Sequence, residues 1–287
     1  MATTQRVVVT GASGKLGQFV VEHLVDSGYH VVSTDRVAPP PGSPGDFTVA
    51  DLTDLGQVIE LLSGVDEGRA ADAVVHLSAI PAPGLATNAA TFRNNVPSTY
   101  NVLRAAQVVG IRNVVTASSE TVLGLPFDVP PPYLPVDEEY DVLPQSTYSL
   151  GKSLEEEMAK HFTRWDPELK VVALRFSNVM RPEDYAGFPS WQDDAQARRW
   201  NLWGYIDGRD GAQAVRRALE AELTGFEAFV IANEDTVMRR SSADLAAEVF
   251  PDVPLKRPLV GRETLLSIDK ARRLLNYAPT HTWLDHI

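Results

Sequence analysis

Eight residues near the start of the chain, Thr10-Gly11-Ala12-Ser13-Gly14-Lys15-Leu16-Gly17, carry the first recognisable chemistry. Glycines at that spacing let a backbone turn tightly, approach a pyrophosphate and set its charge against the N-terminus of the next helix. Asp35 follows 24 residues after Gly11. A carboxylate there accepts hydrogen bonds from ribose hydroxyls and repels a 2′-phosphate. The pattern predicts a dinucleotide site, with NAD preferred. Arg36 comes directly afterwards and could meet a 2′-phosphate, which keeps NADP as the lesser alternative. Gly11, Gly14, Lys15, Leu16, Gly17, Asp35 and Arg36 are the first expected cofactor contacts.

Such a turn works only between a strand and a helix, and the flanking residues supply both. Val7–Thr10 is a β-branched run, and Leu16, Phe19, Val20, His23 and Leu24 follow the spacing of an amphipathic helix. His30–Thr34 and Asp46–Ala50 read as further strands, separated by a proline-rich loop at 39–44. The alternation continues with a helix at 55–62, strands at 73–78, 113–118 and 170–176, and helices at 87–109 and 149–162. Pro97 predicts a kink or a new helix start within the longest of these. Apolar strands alternating with helices predict a Rossmann-type, doubly wound parallel sheet of the α/β class. Beyond residue 180 the pattern loosens: 181–199 is an irregular excursion, followed by helices at 212–222, 241–249 and 268–275 and a strand at 228–232. The expected organisation is an NAD-binding domain at 1–180 and a smaller α+β substrate-binding region at 181–287.

Composition narrows the partners. Lys plus Arg total 26 against 38 Asp plus Glu, a net charge of −12, and basic residues form pairs but no runs. That balance disfavours nucleic-acid binding. No apolar stretch reaches the ~20 residues of a membrane span. The first strand-like run begins almost at the initiator Met, so no cleavable leader is expected. The chain has no cysteine, which removes disulfides, thiolate metal sites and cysteine nucleophiles and fits a cytoplasmic protein. No metal site is expected.

At this point seven segments, in order, resemble the extended short-chain dehydrogenase/reductase family, in its NAD-dependent epimerase/dehydratase group. They are the glycine turn; Asp51-Leu52; His76-Leu77-Ser78-Ala79; Asn94-Asn95-Val96; Ser118-Ser119-Glu120-Thr121-Val122; Tyr148-Ser149-Leu150-Gly151-Lys152; and Leu174-Arg175-Phe176-Ser177-Asn178-Val179. The likeness runs from residue 5 to 180 and is weaker at 267–279. It implies cofactor contacts from Asp51, Leu52, Leu77, Ser78, Ala79, Asn95, Tyr148, Lys152 and Phe176. It also implies Ser119, Tyr148 and Lys152 as catalytic residues, and Ser118, Ser119 and Asn178 at the substrate. His76 is read as a packed strand residue without chemistry.

Tyr148 and Lys152 lie four apart, on one helical face. An adjacent ammonium and an oxidised nicotinamide favour phenolate over a phenol of ordinary pKa near ~10. Tyr148 could then take a hydroxyl proton while hydride leaves the same carbon, with Ser119 bonding the reacting oxygen. The expected activity is NAD-dependent redox at a secondary alcohol of a sugar or sugar acid. A UDP-sugar 4-epimerase with retained NAD is the alternative, an NADPH-dependent carbonyl reductase the second. A non-enzymatic NAD-binding regulator is disfavoured by the intact Ser119, Tyr148 and Lys152.

Nucleotide-sugar members of the family carry an arginine where this chain has Trp203, a departure that leans the reading towards free-sugar oxidation and a uronate dehydrogenase-like branch. Arg175 and Arg199 could meet a carboxylate or phosphate, Arg199 being kept as a substrate contact. Trp191, Trp200 and Trp203 could line a sugar site, but core packing is the expectation for each. The proline-rich segment 125–145 is expected to border the pocket. The resemblance further implies a homodimer paired through the helices around 90–110 and 147–163.

Overall fold

Val7, Val8 and Val9 are all buried, because the first strand is covered on both faces. Alternate side chains enter different cores: Val7 and Val9 join one cluster with Val20, Leu24 and Val215, whereas Val8 joins another with Val58, Leu103 and Phe162. The computed structural model describes residues 4–65 and 68–286. The ends of the two expected regions, at 1 and 287, lie outside them.

The elements run β1 (Arg6–Thr10), α1 (Lys15–Asp26), β2 (His30–Asp35), β3 (Asp46–Val49), α2 (Leu55–Ser63), β4 (Ala73–His76), α3 (Asn88–Val109), β5 (Asn113–Ser119), α4 (Thr147–Trp165) and β6 (Lys170–Phe176). Then come β7 (Val179–Met180), β8 (Ile206–Asp207), α5 (Gly208–Glu220), β9 (Gly225–Ile231), α6 (Ser242–Val249) and α7 (Asp269–Leu275). The main sheet has seven parallel strands in the order β3-β2-β1-β4-β5-β6-β9. This is the doubly wound Rossmann-type fold predicted above. Strand order reverses between β1 and β4, and such a reversal opens a crevice beyond the carboxyl ends of the strands.

Two features differ from the sequence reading. Helix α3 runs through Pro97 as one element, losing a single helical hydrogen bond there, while Thr87 caps its start and left-handed Gly110 its end. The sheet also takes a strand from each side of residue 180: β9 pairs along its whole length with β6, and α5 packs against α1. The excursion at 181–199 contains a run of tight 3-10 turns, Pro182–Trp191. Among the described residues no helix is long and apolar enough to cross a membrane.

Candidate active site

A cavity of about 500 Å³ opens at the carboxyl ends of β1, β2, β4, β5 and β6. The glycine turn forms one end. Gly11 has φ +70°, and a Cβ there would lie 2.6 Å from the Ser78 backbone nitrogen; a Cβ on Gly17 would lie 2.1 Å from the Gly11 carbonyl. Both positions exclude a side chain because backbone meets backbone. Gly14 caps α1 with no side-chain acceptor, leaving the first N–H groups of the helix for an anion. Asp35 accepts from the Ser13 and Arg36 backbone N–H groups at 3.0 and 2.7 Å. A carboxylate has about four lone-pair directions, so Asp35 retains capacity for ribose hydroxyls. These residues fit a dinucleotide, with Gly11, Gly14, Lys15, Leu16, Gly17, Asp35, Leu77, Ser78, Ala79 and Phe176 on the wall that would hold it.

The reacting groups gather at the other end. β5 delivers Ser119, and its Oγ accepts from the Thr121 backbone and hydroxyl at 3.2 and 3.0 Å, starting a short 3-10 turn. A reciprocal Ser146–Ser149 capping box starts α4, which carries Tyr148 and Lys152 one turn apart. Tyr148 lines the same cavity as Ser119, close enough for the serine hydroxyl to favour the phenolate. Lys152 Nζ donates to the Ala117 carbonyl at 2.7 Å and to Glu155 Oε2 at 2.9 Å. Burial disfavours its charge, but Glu155 and Tyr148 outweigh that and raise its pKa. The Tyr148 phenol departs from expectation: burial pushes it up, and this exceeds the opposing pull of Lys152 and Ser119. His76 bonds Thr10 and Thr99 at 2.8 and 3.0 Å and is held neutral, its pKa pulled down to about 3 by burial and Lys152. It is the packed strand residue expected.

Several sequence-predicted contacts fall elsewhere. The Arg36 guanidinium pairs with Asp51 at 3.2 Å, and neither lines the cavity. Thr53 holds the Asp51 carboxyl low through backbone and side-chain hydrogen bonds, with help from Arg36. Leu52 is buried and off the cavity wall, its carbonyl accepting from Asn101 at 2.9 Å. Asn95 is also off the wall; it grips the Ile80 N–H and carbonyl at 2.8 and 3.1 Å, fixing the loop that brings Pro81, Ala82 and Pro83 to the cavity. Ser118 lines the cavity, but its hydroxyl donates to Glu156 at 2.6 Å. That carboxylate holds Arg175 in a buried bidentate pair at 2.9 and 2.8 Å, so Arg175 is structural.

The later half places further residues on and off this cavity. Arg199 lies off the wall, 3.9 Å from Asp128. Its neighbour Trp200 lines the cavity instead, as do Asn178 and Val179. Trp203 is fully buried, its Nε1 donating to the Ala195 carbonyl at 2.8 Å. No residue of segment 125–145 lines the cavity itself, although the Phe127 N–H donates to the carbonyl of the wall residue Trp200 at 3.3 Å. Leu134 and Val136 are buried and bridge to Leu255 and Leu266, and Pro130–Pro132 form a separate cleft with Phe250–Pro254. The sequence reading gave no role to Glu120, whose buried carboxyl lines the cavity beside Ser119. Burial raises its pKa to about 7 against the hydrogen bonds of Ser177 and Asn201. A glutamate immediately after the Ser-Ser pair was the available signal.

With this geometry in place, the wider comparisons have a clear meaning. Residues 7–232 match the NAD dependent epimerase/dehydratase family, and the chain belongs to it. It is thus an NAD-dependent enzyme of the short-chain dehydrogenase/reductase type. The chain is 30% identical over 199 residues to UDP-glucose 4-epimerase 2 of Oryza sativa subsp. japonica, covering 63% of this chain and 47% of that one. It spans about half the length of the curated relatives it matches. A crystal structure of a UDP-galactose 4-epimerase superposes with TM-score 0.69 at 28% identity, over 97% of this chain and 94% of that one. A mutated uronate dehydrogenase shares the fold, with TM-score 0.70 at 20% identity over 99% and 84%.

Proposed function

We propose that this chain performs reversible redox at a secondary alcohol carbon of a sugar, as a nucleotide-sugar 4-epimerase that retains its NAD. The observation that carries the reading is the convergence of Ser119, Tyr148 and Lys152 in the same cavity as Asp35 and the glycine turn. The similarity to 4-epimerases supports the epimerase version over the free-sugar dehydrogenase favoured from sequence. Bound NAD would supply the hydride acceptor and a positive charge near the phenol. Tyr148 in its phenolate form accepts the substrate hydroxyl proton as the carbon becomes a ketone, and returns that proton when the alcohol is re-formed. Ser119 donates a hydrogen bond to the reacting oxygen. Lys152, anchored by Ala117 and Glu155, keeps its positive charge next to the phenol.

A second reading is oxidation of a free sugar with release of NADH. It rests on the burial of Trp203 and on the cavity wall, which among the described residues includes no arginine to meet a diphosphate. One experiment separates the two. The chain is incubated with NAD and either UDP-sugars or free sugars and uronic acids, while nicotinamide absorbance and sugar NMR are followed. Interconversion of 4-epimers without net NADH supports the first reading, and stoichiometric NADH on a free sugar the second. Absence of turnover on the whole panel refutes both. Exposed apolar residues on α3 and α4, among them Tyr100, Leu150 and Leu154, support a homodimer as part of this proposal. Placement in the cytoplasm likewise belongs to the proposal.

A further inference from the structure

Glu120 has no part in the proton transfer above, yet it lines the cavity, with its buried carboxyl group held from two sides. Ser177 Oγ donates to Oε2 at 2.5 Å and Asn201 Nδ2 donates to Oε1 at 3.2 Å, and the Asn178 backbone also favours the charged form. About two of four lone-pair directions are thereby used, leaving room for a further donor. No cation closes that position. Arg198 acts on the carboxyl only through space; its guanidinium donates to the Gly204 carbonyl at 3.2 Å and lies 4.8 and 4.9 Å from the Trp191 and Trp200 rings. Lys152 is taken by Ala117 and Glu155.

We propose that Glu120 sets the substrate class of this site: its carboxyl group bonds an uncharged ring hydroxyl near the reacting carbon and excludes a carboxylate or phosphate from that end of the cavity. The inference rests on the sugar redox reading and deepens it. A hydroxyl can donate to the carboxylate or accept from the carboxylic acid, so either form of Glu120 is satisfied by a neutral sugar. A second anion would face a buried carboxyl whose ionisation is already resisted by burial and unaided by any salt bridge. Discrimination then comes from repulsion as well as attraction.

The test uses sugar pairs differing only in a hydroxymethyl group or a carboxylate at C6, each supplied free and as the UDP derivative. The full chain, Glu120→Gln and Glu120→Ala are assayed with NAD after circular dichroism and NAD titration. Wild type is expected to prefer the neutral member, and the variants to raise the acid-to-neutral ratio of kcat/KM at least tenfold. An unchanged ratio in variants that turn over overturns the inference while the redox reading stands. Wild-type preference for the uronate does the same, even where neither variant folds. A folded, NAD-binding wild type inactive on every sugar overturns the redox reading and this inference with it.

Discussion

Replacing Glu120 by glutamine tests the buried carboxyl without reference to any substrate. In the folded chain burial raises its pKa from 4.5 to about 7, although Ser177, Asn201, Arg198 and Asn178 all favour the charged form. The sign follows from linkage. Between pH 4.5 and 7 the unfolded chain has released this proton and the folded chain still holds it, so stability falls as pH rises. The contribution is complete below pH 4.5 and lost as pH passes about 7. At 1.36 kcal/mol per unit, the displacement amounts to roughly 3 kcal/mol. Glutamine nearly matches glutamate in shape and does not titrate. Urea unfolding of the NAD-free chain between pH 5 and 8 should therefore show wild type losing about 3 kcal/mol relative to Glu120→Gln. Taking the difference cancels the other carboxylates, which are common to both proteins. A difference that stays flat within about 1 kcal/mol across that range would refute the reasoning. It would mean that Arg198, Asn178 and the hydrogen bonds from Ser177 and Asn201 already offset the cost of burying the charge.

Tyr148→Phe should lower kcat by about 10²–10⁴, and Ser119→Ala by about 10²–10³, with NAD binding still measurable in both; a fully active Phe variant contradicts the assigned base. Gly17→Ala places a Cβ 2.1 Å from the Gly11 carbonyl, so calorimetry should show a Tm lower by several degrees and equilibrium titration an NAD Kd at least tenfold weaker. Asp207 is fully buried and accepts from Arg209 Nε at 2.8 Å, Arg209 Nη2 at 2.7 Å and the Tyr185 hydroxyl. Asp207→Ala strands those donors and should cost about 3–5 kcal/mol in urea unfolding; a loss below about 1 kcal/mol would show that the pair behaves as a surface one. Burial would push the Asp207 carboxyl up, but Arg209 and Tyr185 hold it down. That part of the stability is present above pH 3.8 and fades as pH falls through the lower folded value.

The parts of the site that rest on local spacing were legible in the sequence. Gly11, Gly14 and Gly17 sit where strand and helix must meet, and their roles depend on contacts within a few residues or with the neighbouring β4 end. Tyr148 and Lys152 share a helical face by spacing alone. Residues whose side chains choose among several partners were harder to place. Arg36, Asp51 and Ser118 each satisfy themselves within the chain, through Asp51, Thr53 and Glu156, and spacing carries no information on that competition. The prolines of 125–145 announced a loop correctly but said nothing about which surface it would cover. It packs on the later half, through Leu134 and Leu255, because its buried apolar residues find their partners there.

The substrate side was the least legible for a geometric reason. Leu202 and Trp203 both adopt left-handed backbone, φ +54° and +56°, a region that non-glycine residues rarely occupy. That double turn buries Trp203 against Ala195 and Phe250. The same short segment carries Trp200 on the cavity wall and Asn201 on Glu120. A helix or strand pattern through 198–204 would have pointed these side chains elsewhere. The strain is offset by bonds the turn itself makes: the Trp203 N–H reaches the Arg198 carbonyl at 3.0 Å, and its own carbonyl accepts from Val237 at 2.9 Å. Trp203 therefore serves as a packing anchor. The consequence reaches Glu120, which owes one of its two side-chain hydrogen bonds to Asn201 on that turn. The placement of Trp200 on the cavity wall and of Asn201 on Glu120 thus follows from a strained packing feature, and a reading confined to motifs could place the glycine turn but not this wall.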